Sequence, residues 1–250
     1  MLSKILRHKE IEIQTLKVPD IERGRKIYNP LETLKIRPII AEVKKASPSL
    51  GDINVKVDAV SQAKKYEAAG AGAISVLTDE KFFKGSFNFL KDVAGNVNLP
   101  VLCKDFIISE KQIDMAYRFG ADVILLIVKA LREQDYKRLF DYAKSLGLYI
   151  LTEIHEISEM KIVEKYPVDI LGVNSRNLET LEIDKQKAAE IIKNIDNKYF
   201  KIAESGIDCV EDAIMFKSAG AKGFLIGSYL MKSNSPEDKI KEIYRGIRCL

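Results

Sequence analysis

Short apolar runs alternate with amphipathic segments along almost the whole chain, and this alternation strongly constrains its fold. Eight such runs follow one another about 26 residues apart on average, close to the length of one strand-and-helix unit. The runs cover residues 38–43, 73–78, 100–104, 122–128, 148–153, 169–174, 200–204 and 223–227. Most of them are continuously apolar, which is typical of parallel strands that are covered on both faces.

Helical patterns fill most of the intervals between these runs. They cover residues 57–69, 109–119, 133–146, 184–195, 210–219 and 236–247. Ser109 is suited to cap a helix N-terminus, and Pro236 is suited to a first helical position. Gly-Ala pairs at 70–71, 120–121 and 220–221 each follow a helical pattern and precede a run. Because glycine suits the left-handed residue that ends a helix, this repeat supports a series of equivalent units.

Eight parallel strands with crossover helices close most simply into a (β/α)8 TIM barrel, an α/β fold. The rival is an open doubly wound sheet, which usually has fewer strands and a glycine-rich loop after the first strand, and this sequence has no such loop. We predict one domain over residues 1–250, with a barrel at 36–250 and an N-terminal helical extension at 1–35. The extension either packs beneath the barrel or covers its open end.

Composition and charge exclude several classes of protein. A net charge of +4, from 40 basic and 36 acidic residues, is too small and too evenly spread to indicate a nucleic-acid partner. The longest strongly apolar run is far shorter than the roughly 18 residues needed to cross a membrane, and the N-terminus has no signal-peptide core. Cys103, Cys209 and Cys249 fit neither a disulfide framework nor a metal clip. We expect a reduced, cytoplasmic protein and, without coiled-coil heptads, a monomer.

Charged and polar side chains stand where the apolar runs end, and the carboxyl ends of the strands carry the active site of a TIM barrel. They are Glu42 and Lys44, Lys104, Glu153, Asn174 and Arg176, and Glu204. Because side chains alternate along a strand, Glu42 and Lys44 share one face, as do Asn174 and Arg176. A core built for stability alone would hold Val or Leu at such positions, since buried charges are costly unless they pair. The pattern predicts an acid–base site at one mouth of the barrel.

Small residues follow the last two runs, where many barrels bind phosphate. They are Ser205 and Gly206 after the seventh run, and Gly227 and Ser228 after the eighth. Ser47 after the first run adds a hydroxyl, and Lys44 adds a positive charge. We predict a phosphate site there.

Aromatic residues follow the second and third runs. Phe82, Phe83 and Phe106 either pack in the core or wall a pocket for an aromatic substrate. His8 and His155 lack the spacing of metal ligands, and the sequence has no Walker loop, GxGxxG or GxSxG motif.

The strand-end motifs resemble those of the indole-3-glycerol phosphate synthase family. The strongest likeness is IAEVKKASPS at 40–49, and CKDFI at 103–107 is also specific. The likeness continues through TE at 152–153, GVNSRNL at 172–178, AESGI at 203–207 and LIGSYLM at 225–231. It therefore covers every strand end from residue 40 to residue 231.

This resemblance implies a carboxy-lyase of tryptophan biosynthesis that needs no cofactor or metal. Its substrate would be 1-(2-carboxyphenylamino)-1-deoxyribulose 5-phosphate, and its products indole-3-glycerol phosphate, carbon dioxide and water. Lys104 would be the general acid that protonates the forming oxyanion, and Glu153 the base that removes a proton as the indole forms. Lys44 would pair with the substrate carboxylate or donate a proton in the later dehydration.

The same resemblance implies supporting roles for the other polar residues. Glu42 would orient the lysines and bind the sugar hydroxyls or the amine, and Asn174 would fix the substrate. Arg176 would hold a carboxylate or Glu42, and Glu204 would complete the polar ring. Three rivals remain: an isomerase of phosphorylated aminoaldoses, a Schiff-base aldolase that uses Lys104, and a barrel that binds a phosphorylated ligand without turnover. The clustered lysines and nearby phenylalanines favour the synthase.

Overall fold

Eight parallel strands close into a barrel in the computed structural model, which describes residues 1–248. They are β1 (Ile39–Val43), β2 (Ala73–Leu77), β3 (Val101–Lys104), β4 (Val123–Ile127), β5 (Tyr149–Ile154), β6 (Ile170–Asn174), β7 (Lys201–Glu204) and β8 (Gly223–Ile226). Each strand pairs with the next along the chain, and β1 also pairs with β8. Each overlaps one predicted run, so the predicted (β/α)8 barrel is confirmed. Cys249 lies outside the described residues.

Helices surround this barrel. They are α1 (Leu2–Thr15), α2 (Pro30–Leu34), α3 (Ala59–Ala68), α4 (Glu80–Phe83), α5 (Phe87–Ala94), α6 (Glu110–Arg118), α7 (Glu133–Ser145), α8 (Met160–Val163), α9 (Lys185–Asn194), α10 (Val210–Ser218), α11 (Ser228–Met231) and α12 (Pro236–Arg248). The six predicted helices correspond to α3, α6, α7, α9, α10 and α12, and α1 and α2 lie in the predicted N-terminal helical extension. The short helices α4, α5, α8 and α11 were not predicted. Gly70, Gly120 and Gly220 have the expected left-handed conformation, with φ of 96°, 91° and 104°. Within the described residues, no helix has the length and apolar character needed to span a membrane.

Side chains that point into the barrel form an apolar cluster of their own, separate from the layer between strands and helices. Leu102, Leu125 and Leu151 belong to this inner cluster and are almost fully buried. Because inward residues alternate along each strand, the positions nearest the carboxyl ends continue the same inward rows. There the rows change from apolar to charged, so the site stands on a rigid apolar base.

The N-terminal extension packs against both ends of the barrel, so the two placements left open by the sequence both occur. At the carboxyl ends of the strands, Leu2 and Ile5 of α1 are buried against the inner cluster. At the opposite end, Leu34 of α2 is fully buried against the same cluster, next to the start of β2. Between them, Arg23 and Arg25 hold buried Asp122 at 2.7 and 3.2 Å, just before β4.

A short hairpin follows β1 and was not predicted. Its two strands, Ala46–Ser47 and Gly51–Asp52, pair antiparallel, and Gly51 has a left-handed φ of 64°. The backbone N–H of Leu50 donates to the Ser47 hydroxyl at 3.2 Å, which shapes the turn. The hairpin places Ser47 and Leu50 at the mouth of the barrel.

Candidate active site

A cavity of about 530 Å³ opens at the carboxyl ends of the strands. All thirteen residues that the sequence analysis selected line it: Glu42, Lys44, Ser47, Lys104, Phe106, Glu153, Asn174, Arg176, Glu204, Ser205, Gly206, Gly227 and Ser228. They come from six of the eight strands and the loops that follow them. Barrel closure therefore gathers into one space residues that are scattered over about 180 positions of sequence.

Lys104 lies on the cavity floor between two buried carboxylates. Its Nζ is 3.2 Å from Glu153 Oε2 and 3.2 Å from Glu204 Oε2. Since β3 and β7 stand four strands apart in a closed barrel of eight, the lysine reaches across the interior to meet Glu204. Burial acts to lower the pKa of Lys104, but the charges of Glu153 and Glu204 outweigh it and raise the pKa. The lysine is therefore a stable ammonium ion.

The two carboxyl groups differ in proton affinity although they share this lysine. Burial raises the pKa of Glu204 to about 8, and the negative charge of Glu153 contributes to the rise against the opposing effect of Lys104. For Glu153, burial acts upward, but the charges of Lys104 and His155 bring its pKa below the ordinary value. At neutral pH the floor thus holds one ammonium, one carboxylate and one carboxylic acid. This arrangement offers both a proton donor and a proton acceptor.

Two glycines make room for these charged side chains. A Cβ at Gly172 on β6 would overlap Glu204 Oε1, and a Cβ at Gly227 would overlap Glu42 Oε1 and lie 2.9 Å from Lys44 Nζ. Gly227 was selected as a phosphate-loop residue, and its steric role was not foreseen. Gly172 was not selected, although a glycine within an apolar run indicates a close approach of other atoms.

An ion pair and a guanidinium stand on the β1 and β6 sides of the cavity. Glu42 Oε1 lies 2.6 Å from Lys44 Nζ, and this ion pair places the two side chains on the same side of the cavity. Arg176 Nη1 donates to the carbonyl of Leu181 at 2.8 Å, and the backbone N–H of Arg176 donates to Asn174 Oδ1 at 2.9 Å. The bonds of Arg176 thus fix the loop after β6.

The loops after β7 and β8 border one side of the cavity. Ser205 and Gly206 both have left-handed backbone conformations, with φ of 63° and 69°. Such a conformation is uncommon for serine and concentrates at functional sites. The hydroxyl of Ser175, which sequence reasoning did not select, donates to the carbonyl of Ser205 at 2.9 Å and holds this turn.

An apolar wall stands on the opposite side, after β2 and β3. Phe83 and Phe106 line it with ring centroids 6.1 Å apart, and Ile5 of α1 lies beside them. Phe82 does not line the cavity, because its position on α4 turns it toward α1, where its ring contacts the His8 ring at 5.8 Å. Of the two interpretations left open, Phe82 follows the packing one.

His155 is the residue that sequence reasoning set aside and that the structure brings to the site. Its side chain is buried, and its Nε2 lies 3.3 Å from Glu153 Oε1. Burial lowers the pKa of this imidazole, and the charge of Glu153 acts in the opposite direction. The metal-ligand spacing used to assess histidines does not detect a histidine that neighbours a strand-end carboxylate.

Comparison with solved structures supports the fold. The 3-hexulose-6-phosphate synthase from Salmonella typhimurium superposes with a TM-score of 0.68 at 13% identity, covering 85% of this chain and 99% of that one. The thiamine phosphate pyrophosphorylase from Pyrococcus furiosus superposes with a TM-score of 0.63 at 16% identity, covering 87% and 98%. At such low identity the likeness extends to the barrel alone.

Comparison of sequences is more specific. The model of the indole-3-glycerol phosphate synthase family matches residues 3–243. The chain is 46% identical to an indole-3-glycerol phosphate synthase of Bacillus cereus (strain ATCC 10987) over 238 residues, 94% of each protein. It is 44% identical to that of Streptococcus pneumoniae (strain 70585) over 246 residues, 97% of this chain and 96% of the relative. With its charged barrel mouth and this coverage, the chain belongs to the indole-3-glycerol phosphate synthase family, carboxy-lyases of tryptophan biosynthesis.

Proposed function

We propose that the chain closes the pyrrole ring of 1-(2-carboxyphenylamino)-1-deoxyribulose 5-phosphate to form indole-3-glycerol phosphate, carbon dioxide and water. The observation that carries this proposal is Lys104 held between two carboxyl groups of different pKa on the cavity floor. The cavity, at about 530 Å³, lies within the range of small-molecule sites. A ring closure with later loss of water needs an acid and a base in one space, and this floor supplies both.

The walls of the cavity suit the two ends of this substrate. The loops with Ser205, Gly206, Gly227 and Ser228 would bind the phosphate through backbone N–H groups and hydroxyls, and Ser47 would add a further hydroxyl. Phe83 and Phe106 would contact the aminobenzoate ring across the barrel from these loops. Asn174 and Arg176 would fix the chain of the sugar between them.

Proton transfers are assigned from the positions of the charged groups. Lys104 donates a proton to the ketone oxygen as the ring carbon attacks it, and loss of carbon dioxide restores the aromatic ring. Glu153 then removes a carbon-bound proton while the hydroxyl leaves as water. Lys44 binds the substrate carboxylate or supplies the proton for this departure. Glu42 holds Lys44 at 2.6 Å in either case.

The state of Lys104 favours this scheme over a Schiff-base aldolase. A Schiff base requires the neutral amine, and enzymes that form one lower the pKa of the lysine. Here the two carboxylates raise the pKa of Lys104 despite its burial. With Glu204 protonated, the ammonium is only partly neutralised, so it stabilises a developing oxyanion.

The direct test is turnover of the aminodeoxyribulose phosphate, followed by the fluorescence of the indole product. We expect the wild-type chain to form this product and Lys104→Met to lose at least about 10²-fold in kcat, as loss of a general acid does. Lys137→Met, on the exposed face of α7, is the matched control and should keep the wild-type rate. Wild-type turnover by Lys104→Met would refute the assignment.

We further propose that the chain acts as a monomeric, cytoplasmic, single-domain enzyme whose partner is this small phosphorylated molecule. In support of a single domain, the thirteen site residues line one cavity of one barrel. Cys103 and Cys209 are free thiols, as expected of a reducing compartment. Light scattering should give the mass of a single chain, and a dimer mass would refute the monomer.

A further inference from the structure

His155 follows directly after the β5 strand and faces Glu153 from the side opposite to Lys104. Glu153 Oε2 binds Lys104, whereas Glu153 Oε1 lies 3.3 Å from His155 Nε2. Within residues 1–248, neither ring nitrogen of His155 makes a hydrogen bond, and no backbone N–H or hydroxyl donates to Glu153 Oε1. The His155 ring therefore has Glu153 as its nearest acidic neighbour, and the Asn174 side chain is a further hydrogen-bond partner of Glu153.

A second, smaller cavity of about 160 Å³ lies behind this histidine. His155 borders it together with Lys129, Glu156, Asp184 and Lys187, and Asn174 and Arg176 border both cavities. The space is polar and large enough to hold water molecules. His155 thus stands between water outside the active site and the carboxylate on the floor.

The proposed reaction creates a need for such a route. The substrate carboxylate leaves as neutral carbon dioxide and a hydroxyl leaves as water, so each turnover takes up one proton from solvent. Two protons are donated, to the ketone oxygen and to the departing hydroxyl, and one is returned from carbon to Glu153. A lysine that has donated must be reloaded, and the second cavity offers a route for protons that does not pass through the space that the substrate would occupy.

We propose that His155 is a positioning residue for Glu153 and passes it a proton from the second cavity to reload Lys104. This inference rests on the proposed function. With Lys44 bound to the substrate carboxylate, Lys104 makes both donations and is reloaded twice. After the dehydration it takes back the proton that Glu153 removed from carbon. After the earlier ring closure, while Glu153 is a carboxylate, a hydrated proton in the second cavity protonates His155 Nδ1 and His155 Nε2–H gives its proton to Glu153 Oε1. The carboxyl group of Glu153 then rotates and gives this proton to the neutral amine of Lys104. The step restores an ammonium, a carboxylate and a neutral imidazole, and it consumes one proton.

The charges around His155 have opposing effects on its protonation, which suits a group that is protonated only transiently. Lys104 and Lys129 oppose its protonation, and Glu153 and Glu156 favour it. Glu159 accepts the backbone N–H of His155 at 2.8 Å and fixes its position. Lys187 lies 3.6 Å from Glu156 at the rim of the second cavity, which reduces the pull of that carboxylate.

The test uses two variants at this position and the other histidine of the chain as a control. His155→Gln keeps a polar side chain of similar length but cannot carry a proton. We expect its melting temperature and KM to stay near wild type, while kcat falls about tenfold, less than loss of the general base costs. The solvent deuterium effect on kcat should rise, because proton uptake becomes limiting.

His155→Ala opens space beside the second cavity, so added imidazole should raise its kcat. The matched control, His8→Ala on α1, should keep the wild-type kcat and show no response to imidazole. Wild-type kcat and isotope effect in His155→Gln would overturn the relay, as would full activity of His155→Ala without imidazole. A slow His155→Gln whose isotope effect stays at the wild-type value would also overturn it. If the wild-type chain forms no indole product from the aminodeoxyribulose phosphate, the proposed function fails instead, so the two failures are distinguishable.

Discussion

Two lysines of this chain each lie between two buried carboxyl groups, one on the N-terminal helix and one on the barrel floor. Lys9 of α1 is fully buried, with Nζ 2.8 Å from Asp105 Oδ1 and 3.0 Å from Asp79 Oδ2. Lys104 makes two contacts of 3.2 Å with Glu153 and Glu204. Both lysines are buried between two buried carboxyl groups, and Lys9 also contacts the partly exposed Glu12 at 3.1 Å. The two clusters differ further in what else their carboxylates bind.

The aspartates around Lys9 have donors from several directions. Asp79 Oδ1 accepts the backbone N–H of Phe82 at 2.6 Å, and Asp105 Oδ1 accepts that of Phe106 at 2.7 Å. Asp105 Oδ2 also accepts the hydroxyl of Thr78 at 2.6 Å. These bonds tie α1 to the loops after β2 and β3, so the Lys9 cluster holds the helix in place over the cavity.

The glutamates around Lys104 lack such donors. Within the part of the chain that the structure describes, no backbone N–H or hydroxyl donates to Glu204 or to Glu153 Oε1, and the groups near Glu153 besides Lys104 are the His155 ring and the Asn174 side chain. Polar groups left without partners in a buried site cost stability, and they persist where they serve a function. The comparison indicates that bonding to neighbours, rather than charge or burial, separates a structural cluster from a reactive one.

The largest expected effect is a difference in kcat between one variant of the Lys104 cluster and one variant of the Lys9 cluster. If Glu153 is the proposed base that removes the carbon-bound proton, Glu153→Gln should lower kcat by about 10²–10⁴-fold. Asp79→Asn, an equally small change in the Lys9 cluster, should keep kcat within a few fold of wild type. Steady-state kinetics of both purified variants measure this contrast, and equal losses in the two would remove the distinction.

The free energy of unfolding should be more sensitive to changes in the Lys9 cluster than to changes in the Lys104 cluster. Lys9→Met leaves Asp79 and Asp105 buried without their counter-ion, and breaking a buried pair costs about 3–5 kcal/mol. Urea unfolding should show this loss in the free energy of unfolding. For Lys104→Met we expect a smaller loss of unfolding free energy. Because the pKa of Glu204 is already raised, this carboxyl group can be protonated and neutral without the lysine, so no charge pair is left uncompensated there. A larger loss for Lys104→Met would contradict the comparison.

A third experiment tests the steric support of the reactive cluster. Gly172→Ala places a methyl group where Glu204 Oε1 now lies, so the carboxyl group must move away from Lys104. Overpacking of this kind costs about 1–3 kcal/mol of stability, and kcat should fall with it. Gly24→Ala, where the added methyl meets no atom within 4 Å, is the control. Equal kinetics of the two variants would show that the space at Gly172 is dispensable.

The smallest effect concerns pH. Because the pKa of Glu204 is raised to about 8 by burial, the folded state holds a proton that the unfolded state loses near its ordinary pKa of about 4.3. The free energy of unfolding should therefore decrease as pH rises from about 4.3 to about 8, and then level off. Glu204→Gln should flatten this part of the profile, measured by urea unfolding at several pH values. An unchanged slope would place the titrating group elsewhere.

The sequence allowed all eight strands, six helices and the thirteen cavity-lining residues to be selected in advance. That success has a local cause, since apolar continuity, glycine caps and polar strand ends are visible within a few residues of each position. The packing of the extension against both barrel ends was not predicted. Its anchors, such as Lys9 and Arg23, look like ordinary surface residues until their distant partners Asp105 and Asp122 are known.

The amino-acid sequence was thus sufficient to predict the strands, their closure into a parallel barrel and the charged residues at one mouth. These features could be predicted because apolar periodicity and side-chain alternation are visible over a few residues. It was not sufficient to predict the proton affinities of Glu153 and Glu204, or that His155 is buried beside Glu153. The proton affinities depend on burial and on charges about 3 Å away that come from other strands. His155 follows Glu153 by two residues, and its burial against that carboxylate depends on how the end of β5 packs. Lys104 and Glu153 are 49 positions apart along the chain, and folding alone brings them together.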